Sequence, residues 1–415
     1  MMQLFLFVIH ALSKKPIVIV PSHFGSRLYM NTTNQPFWYC PKSEYNKHAW
    51  IRLRDIPSPF LTCLLNHLTV DIDESTNELK TQENTSFSTL DFGGVEGILG
   101  IGPEYFGRYL PVNYELYIET FLDLQYEPHK SLFSAPYDWR FGLEQPESYF
   151  IKLQRLIESA YELNSENKVA VLAHGLGASL THIFLTENTT EEWRKKYIDS
   201  ATYISPMWSG SGQALFATWK LKFPFIHIKF DSLTKFVASM GAFHATIPNS
   251  IAYANSTLLV GPDGRNYTGA ELLDVIRKHG KLDSKQLKIA EKNFKYTNTL
   301  PKQPDFHLNI IYNSGVKTPM GIKLKDWNDK GMPIYGRGDS LVGSKVIEWA
   351  CDYWGTEGVR LRCHDAFSDD IHYHHRYLLK NAEIVTLIKK WIVDENYDDV
   401  APRKPKKIFA FQNEL

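Results

Sequence analysis

A chain of 415 residues, 43% of them hydrophobic and 22% charged, can bury a large core, and this excludes a disordered protein. Lys+Arg and Asp+Glu both total 46, so no net field attracts polyanions, and nucleic acid is excluded as a partner class. The length allows two or three domains, or one α/β domain carrying insertions.

The first 13 residues, MMQLFLFVIHALS, are apolar and end in the small-x-small pattern of Ala11 and Ser13. They fall short of the about 20 apolar residues that cross a bilayer, so residues 1–13 predict a cleaved secretory signal, with a frayed first strand as the alternative. KPIVIVPSHFG, ending at Gly25, is a β-branched run stopped by Pro and Gly, which predicts a strand buried on both faces. Residues 37–66 carry Trp38, Trp50, Phe60, Cys40 and Cys63 without a clean period and read as an insertion. Residues 149–163 place apolar side chains at 150, 153, 156, 157 and 160, the spacing of a helix. Further strands are predicted at KVAVLAHGLG, at 201–208 (ATYISPMW) and at 308–315 (LNIIYNSG), and a last helix at 381–392. Strands alternating with helices imply a mostly parallel sheet with crossover helices, built from 14–36, 67–206 and 307–395. Residues 207–306 form a second insertion, and 396–415, with charge blocks and Pro, a flexible tail.

Acceptor sequons stand at Asn31, Asn84, Asn188, Asn255 and Asn266. The four cysteines fall into two local pairs, Cys40 with Cys63 and Cys351 with Cys363. In an oxidising compartment these are disulfides closing short loops; in a reducing one they are small buried residues.

At 169–179, VAVLAHGLGAS, an apolar run ends in a Gly-flanked turn followed by a helical pattern. That is the outline of the nucleophile elbow of an α/β-hydrolase, which expects G-x-S-x-G. Residues 173–177 read Ala-His-Gly-Leu-Gly, so Gly175 stands in the serine slot. In this fold the acid and the histidine follow later in the chain. Asp339 is the sole carboxylate of 333–342 (PIYGRGDSLV), and His375 lies just ahead of the last helix. Asp339 has the alternative role of a turn cap. His372, His374 and His375 with Asp369 and Asp370 suggest a metal cluster, but no second ligand group sits at metal spacing elsewhere; neither a metal nor another cofactor is expected.

These residues carry a family resemblance. The chain resembles the lecithin:cholesterol acyltransferase and lysosomal phospholipase A family from about residue 16 to 392. The opening PIVIVPSHFGSRL is similar to the family's P-x-x-x-x-P-G-x-x-G-x-x-L, SAPYDWR (134–140) to its A-P-Y-D-W-R, and HRYLLKN (375–381) to its H-x-x-M-L-x-N. The 191–210 stretch resembles the W-x-x-K-Y-I…A-P-W-G-G segment, and 37–63 the disulfide-closed lid that contacts membranes. The resemblance implies an α/β-hydrolase fold with a lid at 37–66 and a cap at 207–306. It also implies acyl transfer from a phospholipid ester to a sterol, another lipid alcohol or water, at a peripheral membrane or lipoprotein surface. By position, His375 is the general base, Asp339 its orienter, the amides of His23 and Leu176 the oxyanion donors, and Trp50 a lipid contact, with a core aromatic as the alternative for Trp50. The implied location is secreted or in an endomembrane lumen such as lysosome or ER; the final Gln412-Asn413-Glu414-Leu415 resembles an ER-retrieval tetrapeptide.

The departures fall at the reacting centre. Gly175 replaces the nucleophile, Ser22 the first Gly of the oxyanion loop, and Arg337 an acidic residue beside Asp339. The family's usual Cys near residue 310 is absent, which leaves Cys351 to pair with Cys363. Glycine adopts freely the left-handed backbone of an elbow, which costs other residues about 1–3 kcal/mol, so the fold survives the loss of the hydroxyl. Three functions follow as expectations: a lipid-binding pseudoenzyme, an active acyltransferase or phospholipase with a relocated nucleophile or water-mediated hydrolysis, and a protein-binding regulator of an active family member.

Overall fold

A computed structural model describes residues 14–35, 38–49, 59–99, 113–222, 231–328, 331–355 and 357–395. Six runs build its central sheet: β1 (Ile17–Val20), β2 (Leu132–Ser134), β3 (Val169–His174), β4 (Ile198–Ile204), β5 (Leu308–Tyr312) and β6 (Leu361–Asp365). They lie in the order β6-β5-β4-β3-β1-β2, and every neighbouring pair is parallel. The β-branched composition of β1 has its reason here. Val18 and Val20 join one apolar cluster and Ile17 and Ile19 the other, so both faces are buried. Helices Glu147–Leu163 and Gly175–Glu187 cover the first face through Leu153, Ile157, Leu180 and Phe184. Helices Glu115–Asp123 and Ala382–Ile392 cover the second through Tyr117, Phe121, Ile388 and Trp391. This is the α/β-hydrolase architecture.

The strand expected at 201–208 begins at Ile198, directly after helix Glu191–Tyr197, and ends at Ile204. Beyond it Pro206 caps a 3-10 turn at Met207–Ser209, because proline offers no N–H to a ladder. The last helix begins where Asn381 accepts the amides of Glu383 and Ile384 at 2.9 and 3.3 Å, a side-chain cap worth about 1 kcal/mol.

Strand Glu44–His48 pairs with Leu28–Thr32, which pairs on its other side with Thr85–Thr89. The Cys40–Cys63 disulfide ties this region to helix Phe60–Leu68. Within 207–306, strands Thr257–Val260 and Asn266–Thr268 form a four-stranded sheet with Val316–Lys323 and Met332–Gly338. The turn that leaves this sheet delivers Asp339, so the insertion helps to place a candidate site residue. The second disulfide, Cys351–Cys363, joins helix Lys345–Tyr353 to β6. All five sequon asparagines are exposed. Trp50, residues 1–13 and residues 396–415 lie outside the described residues.

Two histidines away from the sheet ends are buried as neutral rings. His182 meets the Lys302 carbonyl through Nε2 at 2.7 Å and stacks on Trp354. His244 meets Thr218 Oγ1 and the Ala238 carbonyl at 3.2 and 2.9 Å. Burial pushes each down to about 4. Because the folded value lies below the unfolded value of about 6.5, the unfolded chain takes up more protons between pH 6.5 and 4. Stability is therefore expected to fall with acidification there, by up to about 1.4 kcal/mol per pH unit for each ring. Urea unfolding at pH 7 and pH 5 tests this; equal midpoints would contradict it.

Candidate active site

β3 runs into helix Gly175–Glu187 without a linker, and Gly175 makes the bend at φ +55°. That is left-handed backbone, which glycine adopts without a Cβ penalty. A Cβ built at residue 175 would stand 3.4 Å from His375 Nε2 and 3.0 Å from Ser22 Cβ, and closer still to Ser22 Oγ. Two residues on, a Cβ at Gly177 would run into the Pro21 carbonyl. The missing side chain lets the helix start settle against the end of β1.

Asp339 and His375 meet at the same end of the sheet, 1% and 3% exposed. Asp339 Oδ2 accepts His375 Nδ1–H at 2.7 Å and the Ser205 hydroxyl. Its Oδ1 accepts the amides of Leu341 and Val342 at 3.1 and 2.7 Å, and its carbonyl accepts the His375 amide at 2.8 Å. Burial by itself would raise the Asp339 carboxyl; the His375 ring, then the hydrogen bonds from His375, Ser205 and Val342, outweigh it and hold the carboxyl below its ordinary range. His375 Nε2, buried and without a hydrogen-bond partner among the described residues, faces the volume over Gly175.

The loop after β1 closes the other side. The Ser22 amide donates to Tyr114 Oη at 2.7 Å, and Tyr114 Oη pairs with His174 Nδ1 at 3.2 Å. Leu176, the second residue of the helix, donates its amide to Ser22 Oγ at 3.2 Å, and Ser22 Oγ pairs with His23 Nδ1 at 3.2 Å. The His174 and His375 rings lie 4.7 Å apart. Burial first, then His375 and His23, push His174 far down, so its ring is neutral. Burial, then His375, push His23 down as well, although part of its surface meets solvent.

Gly175, Asp339 and His375 thus converge, flanked by Leu176 and His23. Arg337 points away, exposed, to Glu348 at 3.0 Å and Ser314 Oγ at 2.8 Å. His372 pairs with Asp370 at the surface at 2.7 Å, apart from the buried His375. Sequence reasoning missed Ser205, Tyr114 and Asn313. Ser205 holds φ +48° at the end of β4 while its hydroxyl supports Asp339. Asn313, following β5, donates to the Ser368 and Tyr373 carbonyls at 2.8 and 3.0 Å and so braces the approach to His375. The available signals were a Ser before a Pro and an Asn at strand ends, both too common to single out.

A family described as lecithin:cholesterol acyltransferase matches residues 45–221. The lysosomal phospholipase A and acyltransferase of cattle (Bos taurus) is 23% identical over 341 residues, 80% of this chain and 81% of its own. The lecithin-cholesterol acyltransferase-like 1 protein of rice (Oryza sativa subsp. japonica) is 22% identical over 426 residues, covering 96% and 90%. The chain is thus similar, over 45–221 and across most of its length, to the lecithin:cholesterol acyltransferase and lysosomal phospholipase A family. The phosphatidylcholine-sterol acyltransferase of mouse (Mus musculus) is also similar, 22% identical over 205 residues, 48% of this chain and 45% of its own. The match to the family includes the β3–Gly175 bend and the Cys63 disulfide partner. Among the described residues, no helix is long and apolar enough to cross a membrane.

Proposed function

We propose that this chain is a lipid-binding member of the family in which Gly175 occupies the nucleophile position, so that no acyl-enzyme forms there. The observation that carries the reading is the geometry at residue 175. His375 Nε2 is unpartnered among the described residues and lies 3.4 Å from where a Cβ would be, yet glycine offers no hydroxyl to deprotonate. In the family's chemistry the base takes the proton of a serine, the oxygen attacks the ester carbonyl, and amides receive the charge that develops on it. Here His375 and Asp339 hold the base and orienter positions, and the Leu176 and His23 amides those of the oxyanion donors. A bound ester meets an intact proton acceptor and no attacking oxygen at residue 175.

The ligand class is phospholipid together with a sterol or other lipid alcohol, presented by a membrane or lipoprotein surface through a lid at 37–66 and a cap at 207–306. Exposed Trp38, Tyr45 and Phe60 support this, since the 37–66 region, stapled by Cys40–Cys63, offers large apolar side chains to its surroundings. The compartment is extracellular or an endomembrane lumen, supported by two disulfides and five exposed sequon asparagines. Glycosidase treatment of the protein from a eukaryotic secretory host should lower its mass; an unchanged mass counts against that compartment. The test of the function is incubation with phosphatidylcholine vesicles. The protein is expected to sediment with them while releasing neither fatty acid nor lysophospholipid. Robust release, or no binding, overturns the proposal.

A further inference from the structure

Ser22 is 1% exposed, and its hydroxyl lies in the volume that a side chain at residue 175 would need. Its oxygen is nearer to that would-be Cβ than non-bonded atoms can stand, and its own Cβ is 3.0 Å away. The hydroxyl is engaged on two sides, by the Leu176 amide and by His23 Nδ1, each at 3.2 Å. The Leu176 amide is one of the groups placed to receive a developing oxyanion, and here the protein's own oxygen sits on it. His375 Nε2, by contrast, takes no hydrogen bond from Ser22 or from any other described residue.

We infer that Ser22 is a built-in cap on the reacting centre, which fills the space over Gly175, holds the Leu176 amide and makes residues 22 and 175 an interdependent pair. This rests on the reading of residue 175 as the nucleophile position. The pair works in one direction only: a serine at 175 can turn toward His375 once the oxygen at residue 22 is gone. Restoring the nucleophile alone leaves two hydroxyls competing for one volume and one amide. Ser22 is a positioning residue, not a second nucleophile, because its hydroxyl is committed to His23 and Leu176 and not to His375.

The experiment compares four full-length proteins, wild type, Gly175→Ser, Ser22→Gly and the double variant, exposed to a fluorophosphonate and mapped by peptide mass spectrometry. Thermal unfolding of each reports that the fold is kept. A folded double variant should label at residue 175 at least about tenfold faster than Gly175→Ser, with wild type and Ser22→Gly unlabelled. Gly175→Ser paired with Ser22→Ala removes the same oxygen while restricting the backbone, and should behave alike if the glycine pair folds poorly. Equal labelling of the single and double variants overturns the cap and leaves the proposed function standing. Labelling of wild type at Ser22 overturns both. No labelling of either folded pair overturns the assignment of residue 175 on which the cap depends.

Discussion

Replacing Asp339 by alanine is expected to lower folding stability by roughly 3–5 kcal/mol, the range found when one partner of a buried, hydrogen-bonded charge is removed. The carboxylate joins three segments distant in the chain: Ser205 at the end of β4, the 339–342 turn and the loop bearing His375. Alanine leaves a hydroxyl, two amides and an imidazole N–H unsatisfied where almost no water reaches. The strain of Ser205 at φ +48°, about 1–3 kcal/mol for such backbone, also loses its compensating bond. Asp339→Asn keeps the shape and one acceptor oxygen, so its loss should be smaller, about 1–2 kcal/mol. The sign with pH is fixed by the lowered carboxyl. Its stabilisation is complete above the unfolded value near 4 and is lost as pH falls through the folded value, so urea unfolding at pH 7 reads the full effect. A loss under about 1 kcal/mol for the alanine variant would contradict this account of Asp339. This duty is structural and does not depend on chemistry at residue 175: removing Asp339 costs the fold by itself.

The second large effect concerns rate. Acyl transfer by the wild-type protein is expected to lie about 10⁶-fold below that of a serine-triad enzyme, the scale of loss when the nucleophile of such a triad is removed. Oxyanion stabilisation and binding alone leave about 10³–10⁴-fold over water, and here the Leu176 amide is partly consumed by Ser22. Whatever activity remains should be hydrolysis, because passing an acyl group to a lipid alcohol by this route requires a covalent intermediate. Radiolabelled phosphatidylcholine with a sterol acceptor measures both products. Sterol ester formed within a few orders of magnitude of a serine-bearing enzyme would contradict the expectation.

Much of the framework was legible because local pattern and global role agree. The apolar runs of β1, β3 and β5 can only be buried on both faces, and the spacing at 149–163 can only be a helix. The two weak strands escaped notice. β2 is three residues long, and β6 reads Leu-Arg-Cys-His-Asp; both are strands because neighbours in the sheet supply their ladders, not through their own propensity. The positions of Gly175, Asp339 and His375 could be named from motif order, but their distances could not. The roles of Ser205 and Ser22 were hidden for a different reason. Each depends on a hydroxyl meeting a group far away in the chain, Asp339 for one and the Leu176 amide for the other. The insertion expected to end at residue 306 has strands that continue into a sheet with 316–338, a pairing that no local pattern announces.

The most direct measurement is intact-protein mass spectrometry of the wild-type chain, quenched in acid at successive times after mixing with phosphatidylcholine vesicles. The account predicts an unchanged protein mass at every time point. An added mass equal to one fatty acyl group, appearing and then decaying, would contradict it.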